Sequence, residues 1–223
     1  MAVDLTAYQA LQSALSAKQV TLIAVSKTKP VEDIQALYNA GHRDFGENYV
    51  QELVQKQAEL PKDIRWHFIG HLQSNKVKMI APFVHLIHGV DSIKLLEVID
   101  KEGKKLSKKI NCLLQVHIAI EETKYGLDLQ EARQAAASYF LEKKYEHVEL
   151  CGLMGMASFS DDLSLVEQEF KSLKELFDEI HQVHKNAAQF NVLSMGMSGD
   201  YMLAINNGST MIRIGSMLFG KRG

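Results

Sequence analysis

The sequence predicts an α/β protein with the architecture of a (β/α)₈ TIM barrel. Apolar, β-branched runs alternate with segments of helical periodicity, and eight such runs fit within 223 residues. Strict alternation of strands and helices is typical of a parallel sheet, and eight strands in this length fit a closed barrel better than an open sheet. We therefore expect one barrel domain over residues 1–223.

The elements follow one another in a regular order. An amphipathic helix is predicted over 5–18, with Asp4 as its N-cap. Pro30 precedes a helix that Gly41 terminates, and the longest helical pattern covers 161–188. The eight predicted strands cover 21–26, 43–47, 65–69, 84–90, 110–118, 148–154, 191–195 and 210–214.

The end of the chain shows one irregularity. Only nine residues follow Ile214, which are too few for a full eighth helix and its loop. The extra helix at the N-terminus is therefore expected to cover this gap in the outer ring of the barrel.

Composition and charge exclude several functional classes. A content of 46% hydrophobic and 23% charged residues is ordinary for a globular protein. The net charge of -2 gives no reason to expect nucleic acid or an anionic membrane as a partner. The N-terminal residues lack the pattern of a signal peptide, and the longest apolar stretch, 110–120, is too short to cross a bilayer. We expect a cytoplasmic protein.

Cysteine and histidine spacing does not predict a metal site. Cys112 and Cys151 lie in apolar predicted strands, where we expect both to be buried, reduced and structural, with a disulfide between adjacent strands left open. His67 and His71 have the spacing of a helical zinc site, but their segment is typical of a strand. His85 and His88 are expected on opposite faces of another strand.

Lys27 stands at the mouth of the first predicted strand, where a barrel places its active site. A lysine at the end of a buried strand is either solvated or functional. A desolvated amine close to a second cation, here Lys29, loses its proton more readily and can form a Schiff base.

The loops after strands seven and eight are candidates for binding phosphate. Ser198 and Gly199 precede a short helix, and Gly215 and Ser216 follow strand eight. Ser198 could instead serve only as an N-cap. Arg213 lies on the same side of its strand as Gly215 and needs an anion or an acceptor, with an ion pair to a barrel carboxylate as the structural alternative.

Five segments together resemble the pyridoxal phosphate homeostasis protein family, a group of single-domain barrels that bind pyridoxal 5'-phosphate (PLP). The resemblance covers essentially the whole chain, in order. The segments are AVSKTKP at 24–30, GHRDFGENYVQE at 41–52, WHFIGHLQSNK at 66–76, LSMGMS at 193–198 and GSTMIRIGS at 208–216.

The resemblance implies a barrel like the N-terminal domain of alanine racemase, of PLP fold type III, with PLP held on Lys27 as a Schiff base. It also implies that Asn48 lines the cofactor site, that Arg213 faces the pyridine nitrogen, and that the phosphate is held by Ser198, Gly215 and Ser216. Two positions depart from the family pattern: His117 stands where asparagine is expected, and Ser216 where threonine is common.

Three functions remain in competition. The resemblance implies a monomeric PLP carrier for vitamin B6 homeostasis that exchanges PLP with apo-enzymes and has no catalytic residue. A PLP-dependent racemase would share the barrel and the lysine, but it needs an opposing tyrosine from a C-terminal β domain, which we do not expect in a sequence that stops at Gly223. A cofactor-free Schiff-base aldolase would use Lys27 directly and would be colourless, whereas a PLP protein is yellow. We expect the carrier.

Overall fold

Eight parallel strands form a closed barrel in the order in which they occur in the sequence. The structure is a computed structural model that describes residues 3–121, 124–184 and 188–220. The strands are β1 Thr21–Val25, β2 Asp44–Glu47, β3 Arg65–Phe68, β4 Leu86–Val90, β5 Ile110–Val116, β6 Val148–Gly155, β7 Val192–Ser194 and β8 Met211–Ile214. The predicted (β/α)₈ fold is confirmed, with strand ends displaced by no more than two residues.

Helices surround the barrel and connect successive strands. They are α1 Leu5–Ser16, α2 Val31–Asn39, α3 Val50–Glu59, α4 Val77–Ile80, α5 Ile93–Lys105, α6 Leu129–Phe140, α7 Leu163–Val183, α8 Tyr201–Asn206 and α9 Ser216–Phe219, with a 3₁₀ turn at Ser74–Lys76 before α4. The helix predicted over 161–188 is shorter than expected, and residues 185–187 lie outside the described residues. Across the described ranges, no helix has the length and hydropathy that a membrane span requires.

Pairing of β1 with β8 closes the barrel. Four residues of each strand are in parallel register, from Thr21 opposite Met211 to Ala24 opposite Ile214. Because registered neighbours in a parallel sheet point to the same face, Ile23 and Arg213 share the barrel interior.

Apolar side chains form two separate cores. The large core fills the layer between the barrel wall and the helices. A small cluster fills part of the barrel interior and consists of Ile23, Leu86, Leu113, Met154 and Met211. The rest of the interior is polar, since Asp44, His67, His88, Gln115, Ser194 and Arg213 are also buried.

The N-terminal helix closes the outer ring beside β8, as expected from the short sequence after Ile214. The amide of Asp4 donates to the carbonyl oxygen of Leu218 in α9, at 3.0 Å. The Asp4 carboxylate caps α1 by accepting from the amide of Ala7 at 2.8 Å. The predicted N-cap and the predicted position of this helix are both confirmed.

The two cysteines differ in burial and do not form a disulfide. Cys112 is buried, as predicted, whereas Cys151 is only half-buried, because its side chain borders an opening at the N-terminal end of the barrel. Burial raises the pKa of the Cys151 thiol to about 11, so it remains a thiol at neutral pH.

Candidate functional site

A cavity of about 420 Å³ opens at the carboxyl ends of the strands. All six residues singled out in the sequence line it: Lys27, Asn48, Ser198, Arg213, Gly215 and Ser216. Its lining also includes the cation Lys29 and one carboxylate, that of Asp200. Three cations against one anion give the cavity a net positive charge, which favours an anionic ligand.

Lys27 lies in the turn directly after β1 and lines the cavity. Ile23 points into the barrel, and Val25 lines the cavity above it. Two nearby lysines are fixed by oxygen acceptors. The amine of Lys29 donates to the carbonyl oxygen of Phe219 at 2.8 Å, and that of Lys124 donates to the carbonyl oxygen of Ala157 at 2.7 Å. Lys124 is not among the residues that line the cavity.

The Lys27 loop, residues 26–29, is fixed by carboxylates on both sides of Lys27. The hydroxyl of Ser26 donates to Glu47 Oε1 at 2.6 Å, and the amide of Thr28 donates to Glu52 Oε1 at 2.6 Å. Thr28 has a φ of +64°, a left-handed conformation that costs free energy in a β-branched residue. The bond to Glu52 helps to hold this conformation.

Lys56 joins the two carboxylates into one buried cluster. Its amine donates to the carbonyl oxygen of Ser26 at 2.7 Å, to Glu47 Oε1 at 2.8 Å and to Glu52 Oε1 at 2.6 Å. Burial raises the pKa of Glu47 to about 7, against the opposing effects of Lys56 and Ser26. The sequence analysis missed this cluster, although Glu52 and Lys56 have the i, i+4 spacing of a helical ion pair.

Arg213 is buried in the barrel wall, and its recorded partners are all neutral. Its Nη1 donates to the carbonyl oxygen of Ser194 at 2.9 Å and to Ser194 Oγ at 2.8 Å, and its Nη2 donates to the carbonyl oxygen of Gly155 at 3.1 Å. In the described part of the chain no carboxylate forms a salt bridge with Arg213, contrary to the alternative of an ion pair with a barrel carboxylate. Burial lowers its pKa to about 10, so the group keeps its charge at neutral pH.

The two candidate phosphate loops meet, although their geometry differs from the expectation. The amide of Gly215 donates to Ser198 Oγ at 3.4 Å, which links the loop after β7 to the loop after β8. Asp200, rather than Ser198, occupies the N-cap position of α8, and the amides of Asp200 and Tyr201 are bonded within the turn to the carbonyl oxygen of Met197. The alternative that Ser198 serves only as the N-cap of this helix is therefore wrong.

The remaining predicted positions are divided between the cavity and the loops around it. Asn48 lines the cavity, and its Oδ1 is buried without a hydrogen-bond partner. His117 does not line it; its Nε2 lies 3.0 Å from the carbonyl oxygen of Glu121. Phe159, which the sequence analysis did not single out, lines the mouth with a fully exposed side chain. Over the described ranges, no group of three His, Cys, Asp or Glu residues is placed to hold a metal.

Comparison with known proteins identifies close relatives. The model of the family "Alanine racemase, N-terminal domain" matches residues 6–223. The pyridoxal phosphate homeostasis protein of Pasteurella multocida (strain Pm70) is 41% identical over 208 residues, covering 91% of this chain and 87% of that protein.

Solved structures agree in fold. PipY of Synechococcus elongatus PCC7942 is known without PLP and with PLP bound, at 36% and 35% identity and TM-scores of 0.88 and 0.84, covering 96% of this chain and 99% of PipY. Alanine racemase from Bartonella henselae, with covalently bound pyridoxal phosphate, is 20% identical, with a TM-score of 0.71 over 99% of this chain and 64% of the enzyme. The second likeness shows a shared fold alone.

The burial of Glu47 predicts a particular dependence of stability on pH. Its pKa rises from an ordinary value of 4.5 to about 7 in the folded protein. Between these values the folded state binds more protons than the unfolded state, so the free energy of unfolding should fall as the pH rises. The slope contributed by Glu47 is at most about 1.4 kcal/mol per pH unit.

Urea denaturation across this pH range measures the effect. Glu47→Gln should remove this contribution, because glutamine does not titrate. Glu52→Gln, which changes a more exposed carboxylate of the same cluster, is the matched control and should keep most of it, because the charge of Glu52 is the smallest of the effects on the pKa of Glu47. The same slope in the unmutated protein and in Glu47→Gln would contradict the prediction.

Proposed function

The chain belongs to the pyridoxal phosphate homeostasis protein family, and from this premise we propose that it binds PLP and acts in vitamin B6 homeostasis. The names of its curated relatives and the PLP-bound structure of PipY support the proposal. The observation that carries it is the buried Arg213 guanidinium, which lines a positively charged cavity and, among the described residues, donates to the neutral groups of Ser194 and Gly155. Such a guanidinium suits a ligand that presents a hydrogen-bond acceptor deep in the cavity and an anionic group near the opening of the cavity.

The residues present fit PLP at its aldehyde, its ring nitrogen and its phosphate. The deprotonated amine of Lys27 would attack the aldehyde carbon and, with loss of one water molecule, hold the cofactor as a Schiff base. Arg213 would donate to the pyridine nitrogen and leave it without a proton. Ser198, Gly215 and Ser216 would hold the phosphate with a hydroxyl pair and backbone amides, and Asn48, whose Oδ1 is buried without a partner, would line the ring.

Bound PLP supplies an electron sink, and this chain's residues would limit that chemistry. An arginine that donates to the ring nitrogen keeps the pyridine neutral, which weakens the stabilisation of a carbanion. Tyr49, which follows Asn48 after β2, is 57% exposed and does not line the cavity, so it is not placed to act as an opposing base. We therefore propose a carrier role without robust catalysis, in which PLP is held for exchange with PLP-dependent apo-enzymes.

We predict that Lys27 carries the cofactor. Borohydride reduction of the PLP-loaded protein should fix a pyridoxyl group on the peptide that contains Lys27, and Lys27→Ala should abolish the imine absorbance. Lys124→Ala is the matched control and should keep both, because its amine is bonded to Glu121 and Ala157 outside the cavity. A stoichiometric label on Lys124 in the unmutated protein would overturn the assignment.

We predict that the phosphate contributes much of the affinity. Each charge-assisted hydrogen bond contributes about 1.5–3 kcal/mol, and about 1.4 kcal/mol corresponds to a tenfold change in Kd. Pyridoxal should therefore bind at least tenfold more weakly than PLP in an equilibrium titration. Ser198→Ala should weaken PLP binding but leave pyridoxal binding unchanged, so the two ligands control for each other. Equal affinity for both ligands in the unmutated protein would place the phosphate elsewhere.

We predict that the PLP-loaded protein does not racemise amino acids at ordinary enzyme rates. No tyrosine is among the described residues that line the cavity, and an opposing base typically contributes about 10²–10⁴-fold in rate. Solvent deuterium exchange at Cα, with chiral analysis over a panel of L- and D-amino acids, measures the activity, and an alanine racemase serves as the positive control. Turnover at about 1 s⁻¹ or faster would favour the racemase instead of the carrier.

A further inference from the structure

A line of polar side chains crosses the buried interior of the barrel and ends at Arg213. His67 Nε2 lies 3.1 Å from Asp44 Oδ1, and His67 Nδ1 lies 3.0 Å from His88 Nε2. His88 Nδ1 in turn lies 3.0 Å from Ser194 Oγ, which accepts from Arg213 at 2.8 Å. We call these five residues the interior relay. They come from β2, β3, β4, β7 and β8.

The ends of the interior relay fix the direction of every bond in it. Arg213 has only donors, and an ionised carboxylate has only acceptors. The guanidinium of Arg65 donates to both oxygens of Asp44 and, with His67, holds the pKa of that carboxyl well below its usual range. Asp44 is therefore ionised at neutral pH and must accept from its neighbour.

Each member then has a single allowed role. A neutral His67 donates its Nε2 proton to Asp44, so its Nδ1 accepts from the Nε2 proton of His88. The Nδ1 of His88 accepts in turn from the hydroxyl of Ser194, whose oxygen accepts from Arg213. Four hydrogen bonds thus run in one direction, from Arg213 to Asp44, and in such a chain each bond polarises the next.

The neutral state of both histidines follows from their surroundings. Burial lowers the pKa of His67 and lowers that of His88 further, since both rings are removed from water. His85 packs edge-on against His67 with ring centroids 5.3 Å apart, and His88 does so at 5.2 Å. The expectation that His85 and His88 lie on opposite faces of one strand is therefore wrong, because His85 lies before the first residue of β4 and the alternation of that strand does not extend to it.

We propose that His67, His88 and Ser194 are positioning residues that fix the Arg213 guanidinium toward the ring nitrogen of the cofactor. This inference rests on the proposed function, because it assigns PLP to the cavity. Ser194 and Gly155 accept three hydrogen bonds from Arg213 at the barrel wall. The interior relay orients the Ser194 hydroxyl, because its proton points to His88 and its oxygen then accepts from Arg213. A change in a group that never touches PLP should therefore change the protonation of its ring.

The first part of the test uses the protein without PLP. Nitrogen-15 NMR of the histidine rings should show His67 and His88 neutral, each with its proton on Nε2, throughout the neutral pH range. Ser194→Ala should leave the proton on His88 Nε2 but remove the hydroxyl from which Nδ1 accepts, which shifts the Nδ1 signal, and Ser194→Thr, which keeps the hydroxyl, should restore that signal. Ser209→Ala removes another buried hydroxyl, one bonded to backbone carbonyls outside the interior relay, and should have no effect. A cationic His67, or a proton on His88 Nδ1, in the unmutated protein would overturn the proposal.

The second part uses PLP labelled with nitrogen-15 in its ring. In the unmutated protein and in Ser209→Ala the ring nitrogen should give the signal of an unprotonated pyridine. In Ser194→Ala it should move toward the protonated signal, with affinity for PLP about tenfold weaker, and Ser194→Thr should recover both. A ring signal that Ser194→Ala leaves unchanged would overturn the positioning role. Failure of the unmutated protein to bind PLP would instead overturn the proposed function, whatever the histidine tautomers show.

Discussion

Arg213 brings a guanidinium group into the interior of the barrel, where the loss of hydration of a charge is among the largest costs that a fold can meet. In the described chain no carboxylate forms a salt bridge with it, and its hydrogen bonds go to Ser194 and Gly155. The interior is arranged around this constraint. Apolar side chains fill only a small cluster, and the remaining volume holds polar groups that lead in hydrogen-bonded steps from the guanidinium to the carboxylate of Asp44.

A strand of only four residues serves both faces of the barrel wall. Along β2, Asp44 points inward to His67, and Phe45 points outward into the apolar layer under the helices. Glu47 also points outward, to Ser26 and Lys56. One strand therefore supports Arg213 from inside the barrel and the Lys27 loop from outside it. Because successive side chains of a strand alternate, a change of register in β2 would disturb both supports at once.

Local sequence patterns predicted the secondary-structure elements and the residues around the cavity. They did not predict the hydrogen bonds that orient those residues. Alternation of strand and helix is visible within short windows, and the strand ends showed Lys27, Arg213 and Gly215 directly. The partners that orient those residues are distant in sequence: His88 and Ser194 are 106 positions apart, and a lone histidine or serine in a strand gives no sign of its partner. The alternative of Ser198 as an N-cap arose because its sequence position fits one, whereas the tight turn after Met197 moves the start of α8 to Tyr201.

The pairing of β1 with β8 places the two ends of the strand order side by side, with Ile23 in register with Arg213. Lys27 and the residues after β8 therefore share one cavity only in a barrel that has already closed. During synthesis, the chain can fold most of its sheet and still have no complete cavity until β8 has been made and has docked. A ligand that binds only the closed form also opposes separation of β1 from β8 by mass action. Under the proposed function, loading with PLP would therefore require the completed fold, and bound PLP would oppose separation of β1 from β8.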